Sequence, residues 1–168
     1  MAINVLVLAV ALWSAAASMT IARADGPIAL GTAPVRSWLK PVEGEASIAA
    51  RLERLGTDRQ VFLVLNGLSA ETQPRTAFAI YLDADTSATR GVMESESPRV
   101  GRVTFYEEIR EGRTDAPTTF RSFDVTARLQ ELRVSGRLTG ALAVTIVPER
   151  KTAAEAKATI ANVELVAR

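Results

Sequence analysis

Histidine and cysteine are both missing from this chain of 168 residues. Without histidine, the chain lacks the usual protein ligand for copper, zinc and non-haem iron. It also lacks the base of the serine–histidine and cysteine–histidine pairs that activate nucleophiles. Without cysteine, it has no disulfide framework and no thiol chemistry. Together these absences disfavour most hydrolytic and metal-dependent enzymes, and the sequence predicts no catalytic residue, no cofactor and no metal site.

A large net charge of either sign is missing as well. The formal net charge is +1, from 20 basic and 19 acidic side chains. Nucleic-acid binding depends mainly on neutralising phosphates. A chain so close to neutral is therefore not expected to bind nucleic acid.

The N-terminal segment, residues 1–24, has the pattern of a targeting sequence. Residues 2–21 carry no charge, and Ala22, Arg23 and Ala24 form an Ala-x-Ala cleavage pattern ahead of Asp25. This predicts a signal peptide that is cleaved after Ala24, and hence a secreted or periplasmic protein. The alternatives are an uncleaved membrane anchor over residues 2–21, which are long enough to span a bilayer, and a buried helix.

Residues 25–45 form a stretch rich in proline and glycine, which predicts an extended, poorly ordered leader before the folded domain. Trp38 in this leader is expected to pack on that domain. Residues 46–55 fit two patterns. Ile48, Leu52 and Leu55 would share one face of a helix, but alternation from Ala46 favours an edge strand.

Residues 46–168 are predicted to form one all-β domain. Runs rich in β-branched and aromatic residues are separated by polar stretches with glycine and proline, and no alternation of strands with long helices is present. The predicted fold is an antiparallel β-sandwich of about seven strands with one short helix, preceded by the N-terminal signal or anchor helix. The strands are expected at 61–65, 77–82, 99–107, 119–125, 141–147 and 158–167, with the helix at 127–132 and a one-residue irregularity near Asn162.

Residues that could carry chemistry are better interpreted as loop or core residues. Asp83 and Asp85 resemble half of a calcium loop but lack its later glycine and glutamate. The pairs Glu94/Glu96 and Glu107/Glu108 fall in loops or at strand ends, where carboxylates are solvated. Ser69 and Ser122 lack a nucleophile motif. Four aromatic residues could form an exposed patch: Tyr81, Phe105, Tyr106 and Phe120. Tyr81 and Tyr106 are predicted as possible partner contacts.

Four blocks resemble a known family in their order and spacing. Residues 77–83 resemble a Lys-Phe-Asp-Val-Tyr/Phe-Ile-Asn motif, with Ala77 and Ala79 replacing the Lys and Asp, and Asp83 the final Asn. Residues 100–105 match a glycine-centred block through Gly101. The segments 144–148 and 159–165 resemble the two last strands. The family is that of the polyphenol oxidases, or tyrosinases, and the blocks belong to its C-terminal β-sandwich domain.

This resemblance implies a domain without its enzyme. In the family, six histidines bind copper in a separate helical domain, whereas the C-terminal domain covers the copper site's entrance and keeps the enzyme latent. A stand-alone copy would be non-enzymatic and would shield, or assist the maturation of, a separate copper oxidase. The loops 69–76 and 83–98 are candidate contacts. The alternative is a free-standing envelope binding module for a small ligand or polymer, and an enzyme that uses carboxylates alone is the least favoured interpretation.

Overall fold

The computed structural model describes residues 18–56, 58–84, 98–106, 119–138 and 141–168. Within them most of the regular structure is strand, and the predicted all-β fold is confirmed. The strand count is nine instead of about seven in the described ranges, with two short α-helices and one 3-10 turn. In chain order the elements are β1 Met19–Ala24, β2 Ile28–Leu30, β3 Val35–Pro41, α1 Ile48–Leu55, β4 Val61–Ser69, β5 Phe78–Ala84, β6 Arg99–Val103, β7 Phe120–Asp124, α2 Thr126–Val134, β8 Leu142–Pro148, the 3-10 turn Ala154–Ala156 and β9 Ala158–Ala167.

All nine strands belong to one hydrogen-bonded sheet, and the paired neighbours are antiparallel. The order across the sheet is β6-β5-β8-β3-β1-β9-β4-β7, and β2 pairs with β9 beside this path. Sequential neighbours therefore often lie far apart in the sheet. The order is set by long-range pairing more than by local hairpins.

The two end strands, β6 and β7, come together and nearly close the sheet around its core. Gly101 of β6 lies under the ring of Phe123 of β7: a Cβ atom added to Gly101 would be 2.5 Å from Phe123 Cδ1. Only glycine permits this approach without displacing the ring. The glycine in the family-like block at 100–105 thus has a packing role.

The core lies inside this nearly closed sheet. Strand residues alternate between faces, and the inward residues of β4 are Val61, Leu63, Leu65 and Leu68. In β5 the inward residues include Phe78, whose ring meets that of Phe105 edge to face, with centroids 5.7 Å apart. Burial of each large apolar side chain contributes about 1.5–3 kcal/mol, so the core stabilises the fold without metal or disulfide.

Residues 48–55 form a helix, so the predicted edge strand over 46–55 is wrong. Ser47 caps the helix: its Oγ accepts a hydrogen bond from Ala50 N at 3.1 Å. Gly56 ends it in a left-handed conformation, with φ of 78°. Ile48 is buried against the sheet and Leu52 packs beside it, which is the helical face that the sequence offered as the alternative.

The helix predicted at 127–132 is confirmed as α2, Thr126–Val134. Arg128 anchors it although the residue is only 6% exposed. Its Nε donates to Leu82 O at 3.0 Å and its Nη2 to Asp83 Oδ1 at 2.7 Å. Its Nη1 pairs with Glu131 Oε2 at 2.9 Å. The buried guanidinium is thus fully engaged, as a buried charge must be.

The proline-rich stretch 25–45 holds the strands β2 and β3, so the prediction of a poorly ordered leader is wrong. Its prolines lie before, between and at the end of these strands, and β3 pairs with both β1 and β8. Proline at the ends of strands leaves the ladder hydrogen bonds intact. The folded domain therefore begins well before residue 46.

Residues 1–17 lie outside the described part of the chain, and the predicted N-terminal helix falls largely on them. From Met19 to Ala24 the chain forms β1, between β3 and β9. Ile21 and Ala22 are fully buried there. Cleavage after Ala24 would separate this strand from the rest of the domain, and the signal peptide itself stays a prediction. No helix in the described ranges is long and apolar enough to cross a membrane.

The irregularity predicted near Asn162 is present as a change of phase in β9. Ala158 and Ile160 point inward, and the next inward residue is Val163. Opposite this point Gly67 of β4 has φ of 65°, and a Cβ on it would lie 2.6 Å from Ala161 Cβ. The pairing of β4 with β9 keeps one register on both sides of this point, so no bulge interrupts it.

Substituting Gly101 with alanine should destabilise the fold because the added methyl group meets the Phe123 ring. We expect Gly101→Ala to lower the free energy of unfolding by about 1–3 kcal/mol, measured by urea denaturation. Gly31→Ala is the control, since nothing lies within 4 Å of its added Cβ. Adding Phe123→Leu should recover part of the loss, and equal stabilities for Gly101→Ala and Gly31→Ala would contradict this account.

Removing β1 should cost much of the stability, because β1 lies inside the sheet. Ile21 alone contributes about 2 kcal/mol by burial, against a total of about 5–15 kcal/mol for a typical domain. We expect a chain that begins at Ser18 to unfold cooperatively, and one that begins at Asp25 to lose that transition. The measurement is thermal unfolding followed by circular dichroism. Equal melting temperatures for the two chains would show that β1 is dispensable.

Candidate functional site

A cavity of about 270 Å³ lies at one end of the strands β5, β6 and β8. We call it the arginine pocket. In the described part of the chain, three arginines, one glutamate, two threonines, a tyrosine and an alanine line it. They are Arg75, Arg102, Arg150, Glu149, Thr76, Thr104, Tyr106 and Ala77.

Antiparallel pairing brings these residues together from three separate segments. Phe78, at the start of β5, pairs with Val103 near the end of β6 and with Pro148 at the end of β8. The residues just before β5 and just after β6 and β8 therefore meet at the same edge. Two hydrogen bonds fix them there: Glu149 N donates to Ala77 O at 2.9 Å, and Arg150 N donates to Thr76 Oγ1 at 2.9 Å.

Glu149 and Arg102 form the best-defined ion pair of the pocket. Arg102 Nε lies 3.0 Å from both carboxylate oxygens of Glu149, and Nη2 lies 2.9 Å from Oε2. Arg99 Nη1 adds a contact to Oε1 at 3.3 Å. The hydrogen bond from Arg102 holds the pKa of Glu149 below its ordinary value, and the bond to Glu149 raises the pKa of Arg102. The carboxylate thus stays ionised at neutral pH and holds the Arg102 guanidinium in one orientation.

Arg75 and Arg150 are exposed, and among the described residues no hydrogen bond or ion pair engages either guanidinium. Arg75 also adopts a left-handed backbone conformation, with φ of 58°. This region is costly for a residue with a Cβ and favours glycine or asparagine. The pocket therefore presents two guanidinium groups that no described residue engages. One of them, that of Arg75, belongs to a residue whose backbone conformation does not favour arginine.

Tyr106, predicted as a possible partner contact, is 70% exposed and lines the arginine pocket. Tyr81, the other predicted contact, lies half-buried on β5, paired in register with Arg99 and Thr145, and does not line the pocket. Phe105 is buried in the core and Phe120 is exposed on β7. The four aromatic residues therefore do not form one patch.

Of the two loops predicted as partner contacts, 69–76 and 83–98, only the first can be placed relative to the pocket. The end of the loop 69–76 supplies Arg75 and Thr76 to the pocket. Most of the loop 83–98 lies outside the described residues, as do Asp85, Glu94, Glu96, Glu107 and Glu108. Among the described residues, no group of three or more histidine, cysteine, aspartate or glutamate side chains could hold a metal ion.

A second, larger cavity of about 600 Å³ lies beside Trp38 and the start of α1. Trp38 is 39% exposed, and the Arg36 guanidinium lies over its ring at 4.5 Å. The charged residues of this cavity, Asp25 and Lys40, pair with each other. Its described residues therefore offer shape but no unpaired charge, and the arginine pocket is the better candidate for recognition.

Sequence comparison finds no relative: no protein-family profile matches the chain, and no curated protein matches it. Solved structures do match. Latent aurone synthase, a polyphenol oxidase, aligns with a TM-score of 0.51 at 12% identity, covering 83% of this chain and 25% of that chain. The fold is shared with polyphenol oxidases. Latent apple tyrosinase aligns with a TM-score of 0.48 at 17% identity, covering 84% of this chain and 27% of that chain.

The resemblance inferred from the sequence is thus confirmed at the level of the fold. The chain spans about a quarter of the length of these oxidases. At this level of identity the likeness concerns the fold alone, so the role of the arginine pocket depends on the chemistry of its own residues.

Breaking the Arg102–Glu149 pair should raise the pKa of the Glu149 carboxyl group. We expect Glu149 to titrate below the ordinary range of a glutamate, and Arg102→Gln to move its midpoint upward, because the main hydrogen bond to the carboxylate is lost. The measurement is a carboxyl-detected NMR titration, with Arg23→Gln as the control for loss of a remote positive charge.

The sign for stability follows from the lowered pKa. The pair contributes to the free energy of unfolding at pH values above the pKa of Glu149 in the unfolded chain. This contribution is lost as the pH falls through the pKa of Glu149 in the folded chain. The contribution should be small because the pair is exposed to solvent. Identical Glu149 midpoints in the Arg102→Gln variant and the unmodified chain would contradict the assigned cause.

Proposed function

We propose that this chain is a secreted or envelope, non-enzymatic β domain that binds a separate copper oxidase and shields it or assists its maturation. The observation that carries the proposal is the fold, which corresponds to one quarter of a latent polyphenol oxidase. This chain has no histidine, so the copper ligands would belong to the partner. Localisation rests on the predicted signal peptide, with anchoring by residues 2–21 as the alternative.

The mechanism that we propose is steric. Tyr106 projects from the rim of the arginine pocket with most of its ring exposed. Tyrosine and arginine are enriched among the residues that dominate protein–protein binding. The ring would occupy the mouth of the partner's active site, and the arginines around it would contact acidic or carbonyl groups on the rim. No proton transfer or redox step is assigned to this chain.

The test is to mix the purified chain with polyphenol oxidases from the source cells and to measure diphenol oxidation and co-elution. We expect the chain to co-elute with the oxidase and lower its activity. Tyr106→Ala should weaken the effect at least about tenfold, as expected for a central aromatic contact. Phe120→Ala is the matched control, because Phe120 is an exposed aromatic residue on β7, away from the pocket.

Two results would overturn the proposal. One is that no copper oxidase binds the folded chain. The other is that Tyr106→Ala and Phe120→Ala weaken inhibition equally, which would place the contact elsewhere.

A second candidate function is a free-standing binding module. It is favoured by the two guanidinium groups, Arg75 and Arg150, that are exposed and unpaired among the described residues. Guanidinium groups that no described residue engages are available to a negatively charged ligand.

A further inference from the structure

We propose that the arginine pocket binds a small divalent oxyanion of the phosphate or sulfate class. The inference names the ligand class of the second candidate function and does not depend on the copper-oxidase proposal. It rests on the local charge, the backbone of Arg75, the free donors of the pocket and the arrangement of Glu149.

The first argument is charge. Among the described residues, three arginines line the cavity, Arg99 lies next to it through its contact with Glu149, and that glutamate is the only acidic side chain in the lining. The whole chain carries a net charge of only +1, so this concentration is not a consequence of a basic composition. Like charges around one cavity repel each other, and a bound dianion would relieve the repulsion.

The second argument is the conformation of Arg75. A left-handed backbone is costly for a residue with a Cβ, and glycine would avoid that cost. Strained positions of this kind cluster at ligand-binding sites. No hydrogen bond or ion pair from the described residues engages the Arg75 guanidinium. An anion in the adjacent cavity would give the guanidinium a partner.

The third argument is the set of available donors. Arg75 and Arg150 each offer guanidinium N–H groups, whose planar arrangement suits oxyanions with two parallel hydrogen bonds. Tyr106 lines the same cavity, and among the described residues no hydrogen bond engages its hydroxyl group. A volume of about 270 Å³ accommodates a tetrahedral oxyanion together with several waters, each of which occupies roughly 30 Å³ in the liquid.

The fourth argument concerns Glu149. Its carboxylate already occupies the planar N–H edge of Arg102 at 2.9–3.0 Å. This pair orients Arg102 but also places one negative charge beside the ligand. Glu149 therefore weakens anion binding by repulsion, and its removal should strengthen it.

The experiment is a titration of the full chain with sodium sulfate and with inorganic phosphate at pH 8, at constant ionic strength, followed by NMR shifts of Tyr106 and the arginine side chains. Chloride and acetate serve as monovalent comparisons. We expect saturable binding of both dianions, at least about tenfold tighter than acetate, since the Coulomb energy scales with ligand charge.

Variants connect the binding to the pocket. Arg150→Gln and Arg75→Gly should each weaken sulfate binding about tenfold, whereas Glu149→Gln should tighten it several-fold by removing a repelling charge. Arg75→Gly should not lower the melting temperature, because glycine suits the left-handed position, so lost binding cannot be attributed to unfolding. Arg23→Gln removes an equal charge from the exposed face of β1 and should leave binding unchanged.

The inference is overturned if neither dianion binds with saturation, or if acetate binds as tightly as sulfate. It is also overturned if Arg75→Gly and Arg150→Gln bind sulfate as the Arg23→Gln control does. Any of these results leaves the copper-oxidase proposal standing, because that assay depends on co-elution and on Tyr106. Failure of the oxidase assay, in turn, leaves the anion titration unaffected.

Discussion

The structure depends above all on strand β9, which pairs with three other strands. Along its length it bonds to β1, β2 and β4. It thereby joins the N-terminal strands to the half of the sheet that carries β4 and β7. Its inward side chains, including Ile160, Val163 and Leu165, are fully buried. Without β9 the two halves would share no continuous ladder, and the core between them would be exposed.

Arginine has a recurring role on the outside of this sheet. Arg36 lies over the Trp38 ring and Arg168 over the Phe62 ring, at 4.5 and 5.3 Å. Guanidinium groups cover aromatic faces while they remain hydrated. Arg128 instead enters the interior and holds α2 against β5. The arginine pocket differs from these cases because two of its guanidiniums have no protein partner within the described ranges.

Much of the fold could be predicted where local pattern and final structure agree. The apolar runs that became β4, β5, β8 and β9 have few alternatives, and α2 begins near Asp124, whose Oδ1 accepts the Thr126 N–H at 2.9 Å. The strands β2 and β3 were missed because prolines and glycines dominate their surroundings. They are strands through pairing with β8, β9 and β1, which no local pattern contains. For residues 46–55, which fit both a helix and a strand, the helix is favoured by the cap that the Ser47 side chain provides.

The candidate site could be predicted only in part, for a geometric reason. Tyr106 stood out as an aromatic residue at a strand end, and it does line the pocket. The arginines did not stand out, because Arg75, Arg102 and Arg150 lie in three distant segments and none forms a motif with its neighbours. Only the pairing of β5 with both β6 and β8 brings them together. The positive φ of Arg75 likewise cannot be inferred from its sequence context.

The pairing of β1 with β9 also determines when the domain can become complete during synthesis. Met19 pairs with Ala167, so the first strand must wait until roughly 150 more residues have been made, a separation typical of slow folding. Until then the edges of β1 and β4 are open to pairing with other chains. The strand β9, the last of the domain in chain order, therefore completes the pairing of both β1 and β4.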